Sequence, residues 1–223
     1  MATSGTTTFN ITIDEAIEEA YERCGVRTNS GQDIKSARRS LNLLFSEWGN
    51  RGINLWKVKS KTETLVDGQA TYNTPSDCND VLEAVVTVSG GTQQSLTKIS
   101  RSEYIAVPNK TQKGTPSQYY VDRLLTPTIT LYLAPDTSAV TNIFYYYLAR
   151  IEDAGAYTNT TDMPFRFYPC MVSGLAFYLA QKIAPDRLQA LKLLYEDELK
   201  RALDEDGQRT SVYISPNIYY PQG

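Results

Sequence analysis

Two hydrophobic periods divide this chain, and no other feature constrains its fold as strongly. Near both ends apolar residues recur every three to four positions, as on one face of a helix. Between them the pattern changes to Thr, Val, Tyr and Ile residues punctuated by turn signals, the mark of strands. A chain that begins helical, becomes β and returns to helix predicts an α+β fold. The expected architecture is a helical bundle of four main helices with a β-rich antiparallel insertion and an extended C-terminal arm. Residues 1–52 and 163–207 form the discontinuous bundle, 53–162 the insertion and 208–223 the arm.

The first helical stretch opens on Thr12-Ile13-Asp14-Glu15, a capping-box sequence with acids where the helix dipole favours them. Ile13, Ile17, Ala20, Tyr21 and Cys24 follow at helical spacing, and Gly25 is a natural stop. The other side carries Glu15, Glu18, Glu19 and Glu22. The second stretch places Ile34, Ala37, Leu41, Leu44, Phe45 and Trp48 on one stripe, ending at Gly49. Helices return after residue 161. Tyr168, Val172, Leu175, Leu179 and Ile183 form one stripe, although Pro169 demands a kink or a later start. Leu188, Leu191, Tyr195, Leu199 and Ala202 form the last.

In the middle, Asp67-Gly68 between two strand-like runs is a strong hairpin signal. Residues 81–88 read as a buried strand closed by Gly90-Gly91, and 118–122, 128–133 and 142–149 as three more. Ser100 to Glu103 caps a short helix through Ala106, and residues 110–116 read as a mobile loop. In the run Phe144-Tyr145-Tyr146-Tyr147, alternate rings face opposite sides. One side is then core and the other is free for a partner.

Residues 210–223 hold no charge yet include Val212, Tyr213, Ile214, Ile218, Tyr219 and Tyr220. Pro216 and Pro221 prevent a helix there. A solvated tail is normally charged and poor in such residues, so this stretch needs a surface to lie on. That surface is either its own body or another subunit.

Composition removes whole classes of chemistry. There is no histidine, which takes away Ser-His-Asp and Cys-His nucleophiles and His-based metal sites. The three cysteines are scattered without CxxC spacing, so neither a zinc site nor a disulfide framework is expected, and a reducing, cytosolic site of synthesis is. No secretory signal or membrane span is visible. A net charge of −3 argues against phosphate-driven nucleic-acid affinity, although not against DNA passing without sticking. No cofactor is expected.

Four stretches, taken in order, resemble the head-to-tail adaptors of tailed bacteriophages, the tail tubular protein A or connector adaptor group. They are residues 16–26 with their Cys24-Gly25-Val26 exit, and residues 37–48 with Ala37, Leu41, Asn42 and Trp48. The others are Met163-Pro164-Phe165 leading into residues 174–180, and Ala184-Pro185-Asp186-Arg187 followed by residues 194–199. The resemblance implies a structural, non-enzymatic virion protein that forms a ring, commonly of twelve, below the portal. Its partners would be the portal, a tail nozzle or next tail component, and double-stranded DNA passing without specificity; no membrane is involved. It also implies that the uncharged arm, with Val212, Tyr213, Ile214, Ile218, Tyr219 and Tyr220, docks on the portal. In a ring, Glu15, Glu18, Glu19 and Glu22 would face the channel and repel phosphates within a Debye length of about 8 Å.

The alternative is a virion-associated peptidoglycan hydrolase, since some adaptors look similar to proteins described as cell-wall hydrolases. Such an enzyme needs only two carboxylates. Glu15, Glu18, Glu22, Asp77, Asp80, Glu196 and Asp197 are available, but none sits in a sequence neighbourhood that would raise its pKa.

Overall fold

The computed structural model describes residues 4–7, 9–28, 30–51 and 55–206. Helix α1 (Ile13–Arg23) starts where Thr12 donates its backbone N–H and its hydroxyl to Glu15 Oε2, both at 2.8 Å. It ends at Gly25, whose φ of +76° lets Gly25 N–H reach Glu22 O at 2.8 Å and Val26 N–H reach Tyr21 O at 3.1 Å. A side chain at Gly25 would also strike the Arg187 guanidinium at 2.7 Å. The Cys-Gly-Val exit is therefore a helix stop with a second segment resting on it. Helix α2 (Gly31–Asn50) is capped by Ser30 and Asp33, and it runs through Gly49 instead of stopping there.

The expected four-helix bundle does not form. In helix α4 (Tyr168–Ile183), Cys170, Met171, Val172, Ser173, Gly174, Leu175 and Ala176 are buried in unbroken succession. A helix buried on every side is a centre and not one wall of a bundle. Helices α1, α2 and α5 (Leu188–Asp206) each pack on α4, and Ile183, expected on its stripe, is exposed instead. A fifth helix, α3 (Arg101–Ala106), belongs to the β half. Gly174 permits the closest approach, because a Cβ there would stand 2.9 Å from both Leu44 and Tyr195. Pro169 causes no kink. A 3₁₀ turn at Phe165–Phe167 precedes α4, which places Pro169 in the first turn, where its missing N–H is not needed.

The β half is a two-sheet sandwich. One sheet has the order β1 (Val58–Thr64), β10 (Val140–Ala149), β3 (Cys78–Val88), β4 (Gln93–Ser95), all antiparallel. The other has β2 (Thr71–Asn73), β8 (Thr128–Tyr132), β7 (Gln118–Asp122) and β5 (Thr97–Lys98). The insertion is not wholly antiparallel, since β5 and β7 run parallel. So do β6 (Lys113–Gly114) and β9 (Ala134–Pro135), which gives structure to the segment expected to be a loop. Val81, Val86, Ile143 and Tyr145 of the first sheet share a core with Tyr119, Val121, Ile129 and Leu131 of the second.

The hairpin expected at Asp67-Gly68 is a crossing between sheets. β1 pairs with β10, whereas β2 pairs with β8. Gly68 has φ +74° and donates to Pro135 O at 2.8 Å, so the turn forms locally but its two arms go to different layers. Burial of one apolar face per sheet outweighs the local pairing.

The return path from β10 ties the halves together. Ala154 N–H donates to Asn42 Oδ1 at 2.8 Å, and Arg38 donates to Gly155 O at 3.0 Å. Further on, Asn159 O and Tyr157 O accept from Ile13 N–H and Asp14 N–H, two of the donors that a helix start leaves unpaired. On the outgoing path Trp56 Nε1 donates to Asp162 O at 3.2 Å, and the buried Lys57 ammonium pairs with the Asp162 carboxylate.

Candidate assembly surfaces

Helix α1 presents its acids in two rows one turn apart. Glu15 and Glu19 lie in one row and Glu18 and Glu22 in the other, and all four are exposed. Glu15 is held by the Thr12 backbone N–H and hydroxyl, which keep its carboxyl below the usual range. Glu19 accepts from Arg23 Nε at 3.0 Å. Two of the four are therefore occupied in helix capping and an i,i+4 pair, while Glu18 and Glu22 extend into solvent.

Beside the Glu15–Glu19 row lies a groove that the sequence did not announce. Phe9, Ile11, Phe165, Tyr168, Pro169 and Val172 line most of it, with a volume of about 730 Å³. Phe9 is 68% exposed and Phe165 56%, with ring centroids 5.5 Å apart. No local pattern could have joined them, because one ring follows a Thr-rich stretch and the other opens a 3₁₀ turn more than 150 residues later.

The aromatic strand divides as its alternation predicts. Tyr145 and Tyr147 are buried in the sandwich, while Tyr146 is exposed and Phe144 half-buried on the outer face, in edge-to-face contact at 5.1 Å. Their cross-strand neighbours on β1 are Ser60 and Thr62. At the turn between β7 and β8, Leu124 and Leu125 project, the latter 91% exposed. Trp48 is core, fully buried, as the helical stripe requires.

The carboxylates are arranged for structure. Asp80 is pushed up by burial, but Lys98 and Arg123 outweigh this and hold it below the usual range. Asp77, likewise raised by burial, is brought down by Lys59 at 2.9 Å. Arg51 lowers Glu196, which it grips through two nitrogens at 3.0 and 3.2 Å. Every resolved carboxylate shift among the described residues is downward. A glycosidase general acid requires the opposite. Cys24, Cys78 and Cys170 are free and buried, with thiols that burial pushes up, Cys170 to about 12.

The model of the SU10 adaptor protein family matches residues 12–218, from the cap of α1 to beyond the end of α5. The chain belongs to this family. No curated protein matches it. The adaptor's assignment agrees with the resemblance carried by its four helical stretches, and the match spans the β half as well, where none of those stretches lies. Among the adaptor's described residues, no helix is long and apolar enough to cross a membrane. Val212, Tyr213, Ile214, Ile218, Tyr219 and Tyr220 lie outside the described residues.

Proposed function

We propose that this protein is a structural adaptor of the phage neck that forms a ring below the portal and joins it to the next tail component. The coarse role, a phage adaptor, follows from the family match over residues 12–218, and that observation carries the reading. The ring, its twelvefold symmetry and the passage of DNA through it are the finer proposal. A ring needs two different patches on each subunit that meet head to tail. The outer aromatic face of β10 and the Leu124-Leu125 tip are two apolar surfaces of this kind. Glu18 and Glu22, free to face an axis, would keep DNA from adhering to the wall.

In this reading, residues 212–220 dock on the portal by burying their aromatic and branched side chains. One arm binds weakly, and a ring of arms binds tightly through multivalency. Negative-stain microscopy of the protein mixed with its cognate portal tests the proposal. Rings coaxial with the portal are expected, and two-fold dimers or unattached monomers would refute it. Truncation after Gln208 should leave a folded subunit that no longer attaches. The hydrolase alternative loses support from the downward carboxylate shifts, and purified protein should not clear a peptidoglycan suspension.

A further inference from the structure

We propose that residues 212–220 occupy the Phe9–Phe165 groove of their own subunit before assembly, so that the portal must displace them. This rests on the portal-docking reading and adds a competitor to it.

The groove and the segment match in chemistry. The groove exposes two large aromatic rings beside Pro169 and Val172, and residues 210–223 are uncharged and carry three tyrosines and two isoleucines. Glu15, Glu19 and Arg23 edge the groove on the α1 side, so an uncharged segment would gain its contact energy from the aromatic wall of Phe9, Phe165 and Tyr168.

The path also fits. Helix α5 ends at Asp206, whose carboxylate pairs with Arg166, the residue next to Phe165. A shallow depression between the start of α4 and the last turns of α5 is lined by Arg166, Ala202 and Glu205. Pro169 lines both this depression and the groove, so the two adjoin at that residue. Five residues separate Asp206 from Val212, six Cα steps that span up to about 20 Å when extended. A tether this short costs little closure entropy and gives an effective concentration in the millimolar range. A weak contact therefore suffices to keep the arm down. The portal gains by multiplicity what a single arm lacks, which makes the exchange favourable only at the assembling ring.

The test is limited chymotrypsin digestion of the full chain, with cleavage after Tyr213 and Tyr219 followed by mass spectrometry. Wild type should be cut there about five- to tenfold more slowly than Phe165→Glu. Phe9→Glu, which alters the opposite wall of the groove, should release the arm to the same extent. Melting temperatures of both variants identify any effect due to unfolding. Equal cleavage in wild type and both folded variants overturns the proposal. Protection that grows with protein concentration also overturns it, because the occupant is then a second copy. Portal capture by the truncated chain is scored separately. If the arm is cut freely while truncation still abolishes capture, the self-docked state fails and the portal reading stands.

Discussion

Trp48 Nε1 donates a 2.9 Å hydrogen bond to the Tyr195 hydroxyl, joining α2 to α5 across the flank of α4. Both side chains are almost wholly buried, and the same hydroxyl lies 3.2 Å from Glu47 Oε2, to which it donates. Tyr195→Phe would keep the ring and leave the indole N–H with no acceptor. Removing one partner of a buried pair costs about 1–3 kcal/mol, and urea denaturation should show a loss of that size.

Gly174 sets the spacing of the three helices that meet at this point. Gly174→Val places branched carbons where Leu44 and Tyr195 already stand at 2.9 Å. Overpacking of about 1–3 kcal/mol is expected and should exceed any gain in helix propensity. An unchanged melting temperature would mean that α4 and its neighbours are farther apart than described.

Leu41→Ala removes a fully buried side chain from the face of α2. A loss on the order of 2–5 kcal/mol is expected, measured by thermal or chemical unfolding. Leu125→Ala, at the exposed turn between β7 and β8, should stay within about 0.5 kcal/mol of wild type. If it also lowers attachment to portal or tail, the leucine tip is an assembly contact.

Asp80 predicts an acid limb for the sandwich. Its folded pKa is depressed by Lys98 and Arg123, so it binds its proton less readily when folded than when unfolded. Its contribution is therefore complete above the ordinary aspartate range, near pH 4, and is lost as pH falls through the lower folded value. The stability difference between wild type and Asp80→Asn should be constant from about pH 7 to 5 and narrow below about pH 4. A gap that widens on acidification would contradict the assignment.

Helix starts and stops were legible because their signals are local. Thr12 with Glu15, Ser100 with Glu103, and Gly25 after Cys24 all act within five residues. The sandwich strands were legible from alternation, and Tyr145 and Tyr147 turn inward as it requires. The central place of α4 was missed because a stripe drawn through Tyr168, Val172 and Leu175 ignores the small residues Ser173, Gly174 and Ala176, whose size is what lets other helices close in. The Asp67-Gly68 crossing was missed because the partner of β1 lies some eighty residues downstream, beyond any turn signal. Asn42 stood out only in a resemblance, and its physical role is the hydrogen bond to Ala154 N–H that anchors the return loop. The groove had no signature, since its two rings come from distant and irregular segments.

The pairing of β1 with β10 has a mechanical consequence. These are the two strands by which the chain leaves and re-enters the helical body, and they lie side by side with Val58 opposite Leu148. A force pulling the sandwich away from the helices acts along both strands at once. Such a load enters β1 and β10 at their paired ends and passes through the β1–β10 and β10–β3 ladders into the rest of the sheet. Twisting is resisted too, because a two-stranded ribbon pinned by Lys57 and Asp162 at its base cannot swivel as a single connection would. The sandwich is thus held as a bracket is held by two bolts, with pull and torque shared between two connections.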